Sequence, residues 1–180
     1  MRAIAAALES LSAFLNRIAL AGAMLAVVVM TLSAAYQVIA RYLFFSPPIW
    51  TEELARYAMV WAGLLGASAA FRAHTDPVLF PARLHLAGAA GLAWALARYA
   101  GVMLFVVPIL YYSFMGPNYN PLRSYIMRSF DRDAELLGVS MFYFAVAIPV
   151  AFTLIVIHML ADLAGRLSHY PDLAESEDTS

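Results

Sequence analysis

The chain has 180 residues, a mean hydropathy of +0.74, 63% hydrophobic side chains and only 13% charged ones. A soluble domain of this length carries about twice that charge, so composition alone points to a membrane protein. A formal net charge of −1 offers no basic face for nucleic acid. The lack of cysteine excludes disulfides and thiolate chemistry.

Residues 1–17 place Ile4, Leu8, Leu11 and Leu15 on one helical face, which predicts an amphipathic helix lying on the membrane surface. Residues 18–40 then run for 23 positions without a charge. That length of helix crosses the roughly 30 Å of a hydrocarbon core. Its nine Leu, Ile and Val side chains favour insertion by about 3–5 kcal/mol. Ser33 and Ala35 resemble a signal-cleavage site, but the run is too long for a signal-peptide core and Glu9 precedes it. A first span is therefore expected.

Residues 41–50 connect it to a second span, 51–71, with Pro47 and Pro48 ending the first helix. Only 15 uncharged residues separate Arg56 from Arg72, so the first turn of this span is expected among the headgroups. A connection, 72–91, leads to a third span, 92–114, where Pro108 predicts a kink. The connection 115–135 opens on the turn residues Gly116-Pro117-Asn118, and a short amphipathic helix is expected near Ser124–Phe130. The fourth span is placed at 136–161, with Pro149 near its middle, and the acidic segment 162–180 is expected to be a disordered tail. The reading is an all-α integral membrane protein with four transmembrane helices plus an N-terminal amphipathic interfacial helix. An even span count puts both termini on one side. Arginines outside the spans divide five against five between the two sides, so the positive-inside rule assigns no orientation.

The stretch "RYLFFSPPIWTEELARYAMVW", from Arg41 to Trp61, concentrates charge and aromatic rings in an otherwise apolar chain. With Thr51 as the N-cap, Glu52 and Glu53 fall in the first turn of the second span, where the helix dipole favours negative charge. Glu52 and Arg56 are spaced i,i+4 with the acid first, the favourable order. Trp50, Tyr42 and Tyr57 suit the membrane–water boundary. Local chemistry reads this as a charged belt that caps a helix and sets its depth.

The order Arg41-Tyr42, Trp50-x-Glu52-Glu53-x-Ala55-Arg56-Tyr57, Trp61, Gly66-Ala67 and Arg72-x-His74 resembles one family. The last span, "LGVSMFYFAVAIPVAF" with its Ala147–Val150 step, is similar to the same family. It is that of the small membrane subunits of TRAP transporters, the DctQ-like subunits, and the resemblance covers about residues 15–165. It implies four helices with both termini cytoplasmic, in the bacterial inner membrane. It implies two partners: a large membrane subunit that holds the substrate and sodium sites, and a periplasmic solute-binding protein. The expected role is a scaffold for the large subunit in sodium-coupled import of an organic acid, such as a C4-dicarboxylate. The connection 115–135 is longer than the family's usual one, and the acidic tail has no counterpart in it.

On this reading Arg41, Trp50, Glu52, Glu53, Arg56, Trp61 and Arg98 form an interfacial and assembly cluster. Arg98 is the costliest of them, at roughly 2.5–3.5 kcal/mol if unpaired in the bilayer. It is expected to reach the headgroups, or to contact a phospholipid phosphate, an acidic residue or the large subunit. Gly63, Gly66, Ala67 and Ala70 make a small-residue face on the second span, suited to close packing within the chain or against a partner. Tyr99, Tyr111, Tyr112, Phe105 and Trp94 are expected to face lipid or its boundary.

Two other classes of function remain open at this level. A haem held between His85 and His158 would make the chain a cytochrome b-like anchor. A free-standing four-helix transporter would be expected to carry a carboxylate inside its first span, and residues 18–40 hold none. No acid pairs with a histidine or serine at a catalytic spacing. An enzyme, a metal site and a cofactor are accordingly not expected.

Overall fold

The computed structural model describes residues 2–75 and 88–178. Helix α1 (Arg2–Leu43) and helix α2 (Trp50–Arg72) are followed by α3 (Gly88–Phe114), the short helices α4 (Tyr125–Phe130) and α5 (Phe142–Ala145), and α6 (Ala147–Asp178). No strand occurs among the described residues. Four of the helical stretches are long and apolar enough to cross a membrane.

The packing rests on small side chains. On α1 the buried positions include Ala5, Ser12, Ala19, Ala26, Ser33 and Ala40, each seven residues after the last. A strict seven-residue period keeps one seam facing a neighbour along a gently supercoiled helix. On α6 the seam runs through Ala147, Ala151, Leu154, His158 and Ala161. Large apolar residues point the other way: Phe14, Ile18, Met24, Leu25 and Leu32 of α1 are exposed. In lipid, apolar side chains gain little by turning inward, and close backbone approach supplies the attraction instead.

Helix α1 packs chiefly on α2, and α6 touches α1, α2 and α3. The molecule is a three-helix bundle of α1, α2 and α6, with α3 laid against α6 and reaching Phe71 at the end of α2. Ala19, Ala23, Leu65 and Leu154 form the bundle's apolar centre, flanked by Leu15 and Trp61. Ala95, Tyr99 and Met159 hold α3 to α6, with Phe71, Met103 and Leu163 around them.

Several boundaries differ from the sequence reading. Within the segment 1–17, residues 2–17 are no separate surface helix but the first turns of α1, which continues without a break through residue 18. Their polar positions are used: Ser12 is fully buried. Thr51 is not the N-cap of α2. Ile49 occupies that position, and the buried Thr51 hydroxyl donates to the Pro48 carbonyl at 2.6 Å. Helix α3 runs on through Pro108 to Phe114.

Residues 136–141 do not begin the last span. They close a tight loop in which the Ala134 amide donates to the Val139 carbonyl and the Met141 amide to the Arg132 carbonyl, both at 2.8 Å. Gly138 turns that loop with a φ of +63°, a conformation that costs a residue without Cβ little. Pro149 therefore lies in the first turn of α6, where a missing N–H removes no helical bond. At its other end α6 continues to Asp178, through the segment expected to be disordered. Leu, Ala and Glu propagate a helix that is already nucleated.

Candidate functional site

The charged side chains gather at the two ends of the bundle. At one end the first turn of α2 meets the loop before α5. Glu53 is 8% exposed. Its Oε2 accepts from the amides of Leu136 (2.8 Å) and Leu137 (2.9 Å), and its Oε1 from the amide of Glu135 (3.1 Å). Tyr57 adds its hydroxyl to Oε1 at 3.1 Å. Consecutive amides converging on one carboxylate form an anion-binding concavity, here filled from within the chain. The Tyr57 ring stacks on Phe144 at 3.9 Å. One turn further on, Trp61 Nε1 donates to the Tyr143 carbonyl at 3.1 Å. Glu53, Tyr57 and Trp61 thus share one face of α2, spaced i, i+4 and i+8, and fasten residues 135–144 to it.

The rest of the predicted cluster lies outside this latch. Glu52 and Arg56 pair at 3.0 Å with both side chains exposed, a geometry worth little in stability. Trp50 opens α2, partly exposed, 6.3 Å from the Tyr36 ring. Arg41 sits exposed in the last turn of α1. Gly63 and Ala67 are exposed and Gly66 and Ala70 half-buried. A Cβ added at Gly63 or Gly66 would meet nothing within 4 Å. The small face of α2 thus points away from the chain's own core, and the residues buried on α2 are Ala58, Leu65, Ser68 and Ala69 with Thr51 and Glu53.

The opposite end holds a polar network that sequence reasoning missed. Arg72 donates to Ser12 Oγ and pairs with Glu9 at 2.5 Å. Ser12 Oγ also lies 2.7 Å from His158 Nδ1. A hydroxyl that accepts from Arg72 keeps both its hydrogen and a lone pair, so either group can be the donor in that bond. Asp162 is the second hub. It accepts from the Tyr99 hydroxyl and from Arg166 Nε at 3.2 Å, and faces Arg98 and His74 at 3.9 Å each.

Arg98 therefore does not stand alone in the bilayer. Its guanidinium lies near Asp162, 5.5 Å from the Phe71 ring and 5.1 Å from the Tyr99 ring. Tyr99, expected to face lipid, is 4% exposed and bonded to Asp162, because α3 presents that face to α6. Phe105 and Tyr112 are exposed. The spacing of His158, Asp162 and Arg166 at i, i+4 and i+8 was the sequence signal for this second site. Of the haem reading's histidines, His85 lies outside the described residues, and His158 faces α1 through Ser12. Among the described residues no cluster of His, Asp and Glu is arranged to hold a metal ion.

A small-residue core, an apolar exterior and polar networks at both ends of four spans define a multi-pass membrane protein. The family model described as "Tripartite ATP-independent periplasmic transporters, DctQ component" matches residues 30–169. That is more than three quarters of the chain, and the chain belongs to this family of small TRAP permease subunits. The family is a transporter component and not an enzyme family. No curated protein matches the chain.

Proposed function

We propose that this chain is a non-catalytic scaffold for the large membrane subunit of a TRAP transporter. The complete system would import an organic acid, a C4-dicarboxylate or similar solute, with sodium, and a periplasmic solute-binding protein would deliver it. In this reading both termini are cytoplasmic and the Glu53 latch faces the periplasm. The observation that carries the reading is the latch itself. A scaffold must present a surface of fixed shape, and Glu53 ties three consecutive amides of the loop at 135–137 to α2. The outward small face at Gly63 and Gly66 supports it further, since it lets another helix approach closely.

Co-expression with the large subunit tests the proposal. Arg56→Ala and Glu53→Gln should lower recovery of the large subunit and lower uptake, while solute affinity of the isolated binding protein stays unchanged. Full recovery and full uptake in both variants would contradict the scaffold role of this end.

A further inference from the structure

A cavity of about 210 Å³ opens beside the second polar network, lined by Glu9, Phe71, Arg72, His74, His158 and Asp162. It lies where the apolar spans end. Glu9 precedes the uncharged run of α1, Arg72 ends α2 and Asp162 follows the apolar part of α6. That is the depth of phospholipid headgroups. We propose that this cavity binds the headgroup of a phospholipid carrying a primary ammonium and a phosphate, as in phosphatidylethanolamine.

The lining combines one guanidinium with two carboxylates. Two carboxylates disfavour a ligand that is only anionic, and the Arg72 guanidinium disfavours one that is only cationic. A zwitterion answers both. Glu9 Oε1 accepts from Arg72, and Asp162 Oδ2 accepts from Tyr99 and Arg166. Among the described residues, Glu9 Oε2 and Asp162 Oδ1 are the acceptors left to face an incoming group; Asp162 Oδ1 lies 3.9 Å from His74 Nε2. An ammonium carries three donors and can bridge such oxygens. Arg72 and His74 then face the phosphate, a pairing that guanidinium geometry favours.

Quaternary ammonium fits poorly. It has no N–H to give the carboxylates, and recognition of such groups uses a cage of aromatic faces. Phe71 is the cavity's aromatic wall, and Arg98 already lies over it at 5.5 Å. Size agrees as well. Pockets for whole drug-sized ligands measure about 300–1,000 Å³, so this one takes a headgroup and leaves the acyl chains outside. Exposed Phe14 and Ile18 of α1 and Leu160 of α6 provide apolar surface for them on the helices that build the cavity.

The inference does not depend on the scaffold role and is tested without a transport partner. The full chain is reconstituted in nanodiscs of equal phosphatidylethanolamine, phosphatidylcholine and phosphatidylglycerol, and retained lipid is read by native mass spectrometry. Phosphatidylethanolamine should be retained about tenfold over each of the others, the ratio that one charge-assisted contact supplies. Glu9→Gln should abolish most of that preference, and Asp131→Asn, at an exposed site in the far connection, should keep it. The Glu9 side chain is 56% exposed, so its amide variant is expected to fold. A helical circular-dichroism spectrum matching the wild type checks this. Equal retention of the three lipids would overturn the inference, as would a preference that survives Glu9→Gln. Protection by soluble phosphoethanolamine with no lipid preference would overturn the assignment to a lipid.

Discussion

Replacing Glu53 by Gln probes the latch with almost no change of shape. The carboxylate accepts four hydrogen bonds, two at each oxygen. A carboxamide keeps one oxygen. Turned with its NH2 toward Leu136 and Leu137, it leaves both amides without an acceptor. Turned toward Glu135, it leaves that amide without one, while the Tyr57 hydroxyl keeps Met141 Sδ at 3.0 Å. A hydrogen bond to a charged group shifts a local equilibrium by about 10–100-fold. Amides at 135–137 should therefore exchange about 10–100-fold faster in Glu53→Gln, while amides of α1 and α6 around Ala19 and Leu154 keep their protection. Hydrogen–deuterium exchange of the chain in nanodiscs reads this directly. Glu53→Asp keeps the charge at a shorter reach and should fall between the two. Wild-type exchange at all three amides in Glu53→Gln would refute the reasoning, because the loop would then be held by something other than this carboxylate.

Tyr99→Phe removes the hydroxyl given to Asp162 and keeps the ring beside Arg98. It should cost about 1–3 kcal/mol in unfolding free energy measured in mixed micelles, and an unchanged value would count against the bond. Gly22→Leu should destabilise the bundle by about 1–3 kcal/mol, since even a Cβ there lies 2.9 Å from Leu65 Cδ1. Gly63→Leu, on the open side of α2, should leave the isolated chain within about 0.5 kcal/mol of wild type yet lower recovery of the large subunit. Normal recovery would show that this face meets lipid instead. Arg98→Ala should cost about 1–2 kcal/mol through the two ring contacts, with Lys restoring only part of it, because a guanidinium stacks where an ammonium does not.

Hydropathy made the four spans legible, because mean apolarity over about 20 residues is a one-dimensional property. It did not mark how they pack. The seam on α1 is Ala and Ser at a spacing of seven, and a hydropathy sum treats those residues as weak background beside Leu and Val. Size, not apolarity, was the signal. The acidic pair at the start of α2 was legible as a cluster, but its two members part company. Glu52 pairs with Arg56 in the open, whereas Glu53 reaches a loop some 80 residues later, as its bonds to residues 135–137 record. Nothing local separates them, since the difference is a helical rotation of one position against a distant segment. The same holds for Arg98, whose partner Asp162 lies on another helix. The loop at 136–141 was read as helix because its apolar residues match a span in composition. The hairpin-like bonds around Gly138 decide otherwise.

Solute flux in proteoliposomes tests the central claim most directly, with this chain alone, with the large subunit, and with the large subunit plus the solute-binding protein under a sodium gradient. The scaffold account predicts uptake only in the complete system, and none from this chain alone. Robust uptake of an organic acid through liposomes holding only this polypeptide would contradict it.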